Sequence, residues 1–260
     1  MACRMLVGIG KLPLGRLLDD FKLMAQNNNE RHEHSDDPGH IQGDGWGIVT
    51  GRSGEFECYK NAVPCWRDPK FADLYKLDLD FIMLHARKAS PGMAVKYEFT
   101  HPFEEDGWYF CHNGTIYDFT AKETSDAQQL FALLLKNAQH RKDITEAIRT
   151  TARSLKEYSA LNFVLFKPDR LYVLNMRGKR GEQTPHYFTM KYVQADDYVV
   201  ISSERLQSCG KEWREMQNAT LLTLTIPDGG IQIRDISSEN ALGKDLSPAK
   251  LFSTRVTIHH

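Results

Sequence analysis

The segment Cys3-Arg4-Met5-Leu6-Val7-Gly8-Ile9-Gly10 of this 260-residue chain indicates both a fold and a chemistry. Its apolar run is typical of a short strand, and its first residue is a cysteine. If the residues before Cys3 are removed, Cys3 carries a thiol and a free α-amine on the same carbon. An α-amine titrates at roughly pH 7.7–8.0, so near neutrality a good share is the free base that accepts a proton from the thiol. One residue then supplies nucleophile and base, although an isolated early cysteine is more often an ordinary strand residue.

Outward from this strand, the hydrophobic periodicity predicts a helix after Pro13 and a polar loop from Gln26 to Asp44. Two more helices are predicted after Ser125 and Asp143, each of which begins a capping-box pattern. Strands on both sides of this helix pair indicate an α+β fold of packed antiparallel sheets with helices on the outside. The other predicted strands are Gly45–Val49, Glu55–Lys60, Asp80–Ala86, Trp108–His112, Leu161–Lys167, Leu171–Met176, His186–Met190, Tyr198–Ser202, Thr220–Ile226 and Gly230–Arg234.

Composition excludes several classes of protein. Basic and acidic residues nearly cancel, at 33 against 34, and no basic stretch is long enough to indicate nucleic-acid binding, which favours a small-molecule or protein partner. No run approaches the roughly 18 apolar residues of a membrane span, and the start has no apolar signal core. The five cysteines form no Cys-x-x-Cys pair, which favours a reducing cytoplasm over a disulfide framework or a zinc ribbon. Without a Pro- or Ser-rich linker, a single domain is the simpler expectation.

Two short motifs in the first half of the chain carry polar chemistry. Gly43-Asp44-Gly45-Trp46-Gly47 reads as a Gly-rich turn with a packed tryptophan. His85-Ala86-Arg87 ends an apolar strand, where an arginine can hold a carboxylate through two parallel hydrogen bonds. A surface ion pair is the ordinary alternative for this arginine.

Two further motifs lie between residues 112 and 126. His112-Asn113-Gly114-Thr115 contains the turn signal Asn-Gly, and the same pair can offer a side-chain amide and a backbone N–H to a developing oxyanion. Ser125 is expected to cap a helix, which leaves the adjacent Asp126 free to bind an ammonium group.

Each motif is weak alone, but their order is specific. An early cysteine, His-x-Arg, His-Asn-Gly and Ser-Asp, at these separations, resemble the class II glutamine amidotransferase domain, an N-terminal-nucleophile (Ntn) hydrolase. The chain is similar in particular to the stand-alone members of this family, which include the YafJ-like amidotransferases and the γ-glutamyl hydrolase of ergothioneine synthesis. The motifs that carry this similarity are Cys-Arg-Met-Leu at the start, Asp-Gly-Trp-Gly-Ile near residue 45 and Thr100-His101-Pro102-Phe103. The resemblance covers residues 3–235 and implies a four-layer αββα sandwich. Residues 236–260 are then a C-terminal extension, and His259-His260 resembles a purification-tag remnant.

The resemblance also implies a role for each matching residue, with no metal ligand among them and no cofactor. Arg87 would hold the α-carboxylate of a glutamine-like substrate, and Asp126 its α-ammonium. His85 and His112 are expected beside them as positioning or packing residues. The implied catalytic residues are the nucleophile Cys3 and the oxyanion donors Asn113 and Gly114.

The implied function is hydrolysis of a γ-glutamyl amide through a cysteine thioester, with glutamine or another γ-glutamyl small molecule as substrate. A γ-glutamyl hydrolase acting on a glutathione- or ergothioneine-like compound is the alternative. About 25 residues after the sandwich are too few for a synthase domain, so ammonia passes to a separate synthase subunit or the enzyme only hydrolyses.

One departure concerns the residues before the nucleophile. Similar proteins usually begin Met-Cys, whereas Ala2 intervenes here. While Met1 and Ala2 remain, the Cys3 nitrogen is an amide without useful basicity. We therefore predict that the chain as written is inactive or poorly active.

Two rival functions use the same residues differently. A metal-dependent hydrolase could use the imidazoles and carboxylates of the polar loop, which are those of His32-Glu33-His34-Ser35-Asp36-Asp37, together with His40 and His85. Such a loop is more often simply polar. A non-catalytic sensor would keep the fold and bind glutamine-like ligands without turnover. That function gains weight if Ala2 is never removed.

Overall fold

The structure, a computed structural model, describes residues 3–119, 123–141, 143–210 and 212–226, and the backbone of residues 231–235. The helices in these ranges are α1 (Leu14–Ala25), α2 (Pro69–Asp73), α3 (Asp126–Gln139), α4 (Ile144–Ser154) and α5 (Pro185–Phe188). The strands are β1 (Arg4–Gly10), β2 (Trp46–Arg52), β3 (Glu55–Asn61), β4 (Phe81–Ala86), β5 (Phe103–Glu105), β6 (Trp108–Asn113), β7 (Asn162–Lys167), β8 (Arg170–Asn175), β9 (Lys191–Gln194), β10 (Tyr198–Ser202), β11 (Arg214–Glu215), β12 (Thr220–Thr225) and β13 (Ile231–Asp235).

These strands form two antiparallel sheets. Sheet A has the order β11-β9-β10-β1-β4-β2-β3, and sheet B has the order β13-β12-β8-β7-β6-β5. In sheet A, β1 lies between β10 and β4, and its register pairs Arg4 with Ala86. Because the two strands are antiparallel, this register places the residue before β1 beside the residue after β4. Cys3 and Arg87 are therefore brought together by backbone pairing alone.

Three hydrophobic clusters divide the molecule into four layers. The cluster between the sheets contains Met5 and Val7 of sheet A together with Val164 and Val173 of sheet B. A second cluster packs α1 on the outer face of sheet A, and a third packs α3 and α4 on the outer face of sheet B. The order is therefore helix, sheet, sheet, helix, and the α+β sandwich predicted from the sequence is confirmed.

The helices that cover the sheets begin and end as their sequences predict. In α3 the Ser125 hydroxyl accepts the Gln128 N–H, while the Gln128 side chain accepts the Ser125 N–H, which forms a complete capping box. The Asp143 side chain caps α4 by accepting the N–H of Thr145. The α1 residues Leu17 and Phe21, four positions apart on one face, are fully buried against sheet A.

One predicted strand, His186–Met190, is wrong. Pro185 begins the short helix α5, where its fixed φ and missing N–H are tolerated at the first position. Tyr187 and Phe188 are adjacent and both buried, which breaks the alternation of a half-buried strand. The strand in this region is β9, which starts at Lys191.

The predictions for the two ends of the chain concern residues that the structure describes only in part. Met1, Ala2 and the expected extension of residues 236–260 lie outside the described residues, and the single domain at residues 3–235 stays a prediction. Among the helices that are described, none is long and apolar enough to cross a bilayer.

Candidate active site

Residues from both sheets meet at one end of the sandwich. Cys3 precedes β1 and Arg87 follows β4 in sheet A, while Asn113 ends β6 in sheet B. The Cys3 backbone N–H donates to the Asn113 Oδ1 over 2.7 Å. This hydrogen bond joins the nucleophile predicted on one sheet to the oxyanion donor predicted on the other.

The Cys3 thiol is buried and close to a backbone N–H. Cys3 is only 8% exposed, and its Sγ accepts the Lys88 N–H over 3.4 Å. Burial raises the pKa of this thiol to about 11, although the Lys88 N–H and the Arg87 charge act in the opposite direction. The thiol is therefore protonated at neutral pH, and a base must remove its proton before it can attack a carbonyl.

Asn113 and Gly114, the predicted oxyanion donors, lie next to Cys3. The Nδ2 of Asn113 is buried and has no hydrogen-bond partner among the described residues, whereas its Oδ1 is engaged by Cys3. Gly114 has a φ of +149°, and a Cβ there would lie 2.0 Å from the carbonyl oxygen of Ala160. Only glycine fits this position, and Gly114 lines the same pocket as Cys3.

Arg87 and Asp126 offer opposite charges to that pocket. The Arg87 guanidinium is nearly buried, and its hydrogen bonds go to the carbonyl oxygens of Asp44 and Ala94, both at 3.3 Å. Burial lowers its pKa, and within the described chain no carboxylate forms an ion pair with it. A buried cation with only carbonyl partners is suited to an anionic ligand.

Asp126 begins α3 and is held by backbone amides. Its Oδ2 accepts the Ile116 N–H and its Oδ1 accepts the Ala127 N–H, both over 2.9 Å. Its carboxylate makes no ion pair with any described residue, so its charge is available to a cation. The pocket thus presents one positively and one negatively charged side chain within a single cavity. It is lined by Cys3, Arg87, Lys88, Ser90, Met93, Phe99, His101, His112, Gly114, Ser125, Asp126 and Ala127.

Of the two predicted histidines, His112 lines this pocket, whereas His85 packs behind it against the ring of His101. His85 is fully buried, and one ring nitrogen is 3.1 Å from the His112 carbonyl oxygen. The ring of His112 in turn lies 3.3 Å from the Ala160 carbonyl oxygen. Burial lowers the pKa of His85 to about 3 and also lowers that of His112, so both are neutral at pH 7. They hold backbone carbonyls in place.

His101 is a further residue of this pocket, and no role was predicted for it from the sequence. It lines the pocket, its ring centroid is 4.1 Å from that of His85, and it is buried. Neither of its ring nitrogens has a partner among the described residues. The feature of the sequence that could have indicated this residue is the motif Thr100-His101-Pro102-Phe103, in which two polar residues lie between Phe99 and Phe103.

The motif at residues 43–47 explains how His101 is held. A Cβ at Gly45 would lie 2.8 Å from the Thr100 Oγ1, and one at Gly47 would lie 2.3 Å from the His101 carbonyl oxygen. The two glycines therefore let the segment before β5 pack directly on β2. Trp46 between them is buried, and its indole N–H donates to Asp68 over 3.0 Å.

Arg4, next to the nucleophile, is a second residue that the sequence did not reveal. It is fully buried, and its Nε is 2.7 Å from the Oε1 of Glu204, which is also buried. Its Nη1 donates to the Cys3 carbonyl over 3.4 Å, and its guanidinium stacks 3.9 Å above the Tyr187 ring. Arg4 thereby fixes the backbone on which the nucleophile lies.

The residues of the metal hypothesis do not form one centre. His85 lies under the Cys3 pocket, whereas Glu33 accepts the backbone N–H groups of His186 and Tyr187. His32 contacts Arg4 and its backbone N–H donates to Ser35. The absence of a metal at the Cys3 pocket stays a prediction.

Comparison with solved structures identifies the fold. The glutamine phosphoribosylpyrophosphate amidotransferase of B. subtilis, complexed with ADP and GMP, superposes with a TM-score of 0.63 at 16% identity, covering 92% of this chain and 50% of that one. The chain has the fold of a class II glutamine amidotransferase. It spans about half the length of the first structures that it matches.

Two shorter structures share this amidotransferase fold over nearly their whole length. A glutamine aminotransferase class-II domain protein from Silicibacter pomeroyi gives a TM-score of 0.55 at 17% identity, covering 90% of this chain and 99% of that one. A predicted glutamine amidotransferase from Pseudomonas aeruginosa gives 0.50 at 15% identity, covering 89% and 95%. No protein-family model and no curated protein matches the sequence.

Proposed function

We propose that this chain hydrolyses the amide bond of glutamine or a related γ-glutamyl compound, with Cys3 as an N-terminal nucleophile. The observation that carries the proposal is a pocket lined by Cys3, Arg87 and Asp126. Beside it lies Asn113, which accepts the Cys3 N–H and whose Nδ2 has no partner among the described residues. A γ-glutamyl amide needs a nucleophile, an oxyanion donor and one charged group for each end of its zwitterionic head.

The first step is formation of a thioester. The Cys3 α-amine takes the thiol proton, and the sulfur attacks the γ-carbonyl carbon. The C–O π bond opens to an oxyanion that the Asn113 Nδ2 and the Gly114 N–H stabilise. The oxyanion then collapses, the C–N bond breaks, and the α-ammonium gives its proton to the departing amine.

The second step releases glutamate. Water attacks the thioester carbon, the α-amine accepts its proton, and the C–S bond breaks to regenerate the thiol. The same oxyanion donors serve this step, because the charge develops on the same oxygen. Arg87 and Asp126 hold the zwitterionic head of the substrate throughout, which keeps the γ-carbonyl carbon next to the sulfur.

Removal of the residues before Cys3 is part of the proposal. A peptide nitrogen has no basic lone pair, and the Cys3 nitrogen already lies against Asn113 at 2.7 Å. With pKa about 11, the thiol is not a nucleophile at pH 7 unless a nearby base assists it. A free amine at this position supplies that base.

The ammonia released has two destinations. The B. subtilis structure is that of an amidotransferase, and transfer of ammonia to a synthase subunit is part of the proposal. Simple hydrolysis, with release of ammonia, is the second form. A cytoplasmic location belongs to the proposal as well, since all five cysteines are free thiols.

The test compares three chains in a glutamate-release assay: one that begins at Cys3, one with Met1-Ala2 retained, and one that begins with alanine in place of Cys3. Glutamine, a γ-glutamyl anilide and a glutathione-like peptide serve as substrates. We expect glutamate only from the chain that begins at Cys3, with a γ-glutamyl adduct on the Cys3 peptide in quenched samples.

Two results would contradict this mechanism. Equal rates with and without Met1-Ala2 would remove the α-amine from it, and turnover by the alanine chain would remove the thiol. Saturable binding of glutamine with no turnover by any of the three chains would favour the non-catalytic sensor.

A further inference from the structure

The polar loop from Gln26 to Asp44 is well anchored in the fold. The Asn27 side-chain amide donates to the carbonyl oxygens of His34 and Ser35, at 2.9 and 3.3 Å. Glu33 accepts two backbone N–H groups at the start of α5, and the Gln42 N–H donates to the Ala25 carbonyl. These contacts set the positions of the side chains that the loop carries.

Three metal-binding side chains of this loop converge at the surface. The ligand atoms of His34, Asp37 and His40 all lie within 4.8 Å of one another. The rings of His34 and His40 are stacked, with centroids 3.9 Å apart and planes 6° apart. The His40 Nδ1 is 2.9 Å from the Asp37 Oδ2. We propose that His34, Asp37 and His40 form a binding site for a divalent transition-metal ion of the Zn²⁺ class.

Geometry supports the proposal. Zn–N and Zn–O bonds of about 2.0–2.2 Å place neighbouring ligand atoms roughly 3.4 Å apart in a tetrahedral site. An imidazole binds a metal ion in the plane of its ring, so the two stacked rings would have to turn out of their parallel arrangement as the three ligand atoms close to that spacing. The ion would take the place of the proton now shared between His40 and Asp37. Asp37 is exposed, which leaves the remaining coordination position to water.

The donor set selects the class of ion. Two imidazoles and one carboxylate suit Zn²⁺ and its neighbours, whereas Mg²⁺ and Ca²⁺ prefer oxygen ligands alone. The site is separate from the Cys3 pocket and does not depend on the proposed hydrolysis.

The site has a direct structural connection to the nucleophile. The Tyr187 ring contacts His34 and His40, with centroid distances of 4.8 and 5.4 Å. The same ring also contacts the Arg4 guanidinium, which donates to the Cys3 carbonyl. A bound ion would therefore hold the loop against the tyrosine that packs on Arg4, which stabilises the loop and the end of the sandwich together.

The test is calorimetric titration of the full chain with ZnCl₂ and, separately, MgCl₂, after treatment with chelator and desalting. A Cys3→Ala background is used because a thiol binds zinc itself. We expect one Zn²⁺ site whose affinity falls at least tenfold in H34A and in H40A, with no Mg²⁺ binding at this site. Zinc should also raise the melting temperature of the parent chain and leave that of H34A unchanged.

Matched controls come from the same protein. Asp36 lies in the same loop, and its ion pair among the described residues is with Arg31, so D36N should keep the parent affinity, as should H140A. Asp37→Asn retains the oxygen that accepts the Gly39 N–H, so it decides the question if a histidine variant misfolds. Equal zinc affinity in D37N, H34A, H40A and the parent would overturn the proposal, as would equal affinity for Mg²⁺.

Discussion

The protonation state of the Cys3 thiol gives the most direct test of the proposed nucleophile and base. The perturbation is removal of the residues before Cys3, which converts the Cys3 nitrogen from an amide into an amine. In the longer chain, burial raises the pKa of the thiol to about 11. At pH 8 only about one such thiol in a thousand is ionised, compared with about a quarter of ordinary thiols with a pKa near 8.5.

The assay is the rate of iodoacetamide alkylation of the Cys3 peptide between pH 7 and pH 11, followed by mass spectrometry. For the longer chain, the rate should rise about tenfold per pH unit up to pH 10 without reaching a plateau, because only the thiolate reacts. For the chain that begins at Cys3, the rate should show an additional rise with a midpoint near pH 8, because the neutral α-amine that forms there can take the thiol proton during the attack.

The position of the plateau, and not the rate itself, carries this test. Restricted access to a buried sulfur slows alkylation by the same factor at every pH, so it cannot move the midpoint. Free cysteine in the same solutions provides the reference midpoint. A midpoint at or below pH 9 in the longer chain would refute the argument that burial controls this thiol.

The remaining predictions concern the oxyanion hole, the substrate clamp and the buried histidines. In the chain that begins at Cys3, Asn113→Ala should lower kcat by about 100- to 1,000-fold with little change in KM, as loss of one oxyanion donor does; a fall of less than tenfold would remove Asn113 from that role. Arg87→Lys should raise KM for glutamine at least about tenfold and leave kcat nearly unchanged, since a lysine cannot make the paired hydrogen bonds to a carboxylate, and an unchanged KM would argue against the clamp. Burial lowers the pKa of His85, His101 and His112, so the unfolded chain binds protons that the folded chain does not. Because the folded pKa of His85 is about 3, this residue alone should lower the free energy of unfolding by about 1.4 kcal/mol per pH unit as the pH drops from about 6 to 4, measured by urea titration, and His101 and His112 should lower it further. Stability independent of pH in this range would contradict their burial as neutral groups.

The sequence predicted the parts of the site that lie at strand ends. Apolar runs that stop at a polar residue mark the point where a strand leaves the core, and Arg87 and Asn113 both occur at such points. Cys3 lies at the matching end of β1, so antiparallel pairing brings it to Arg87. The local capping pattern likewise placed Asp126 at the start of α3.

Long-range contacts were not visible in the same way. The ion pair between Arg4 and Glu204 joins residues 200 positions apart in the chain, and nothing in either local sequence indicates the other. The wrong strand at residues 186–190 has a local cause, since an apolar run after a proline fits a strand or a buried helical turn equally well. The raised pKa of the Cys3 thiol depends on burial, which periodicity does not measure for a residue at the end of a strand.

The hydrogen bond between Cys3 and Asn113 explains how one structure can serve before and after removal of the preceding residues. With its Oδ1 held by the Cys3 N–H at 2.7 Å, the Asn113 amide has only one orientation, in which the Nδ2 is left for another acceptor. A neutral α-amine still has an N–H to donate to that Oδ1, and it also has a lone pair. Removal of the preceding residues would therefore leave the oxyanion donor where it is and add only the base. On this argument the pocket is assembled in the longer chain, and the amine is the last component that it lacks.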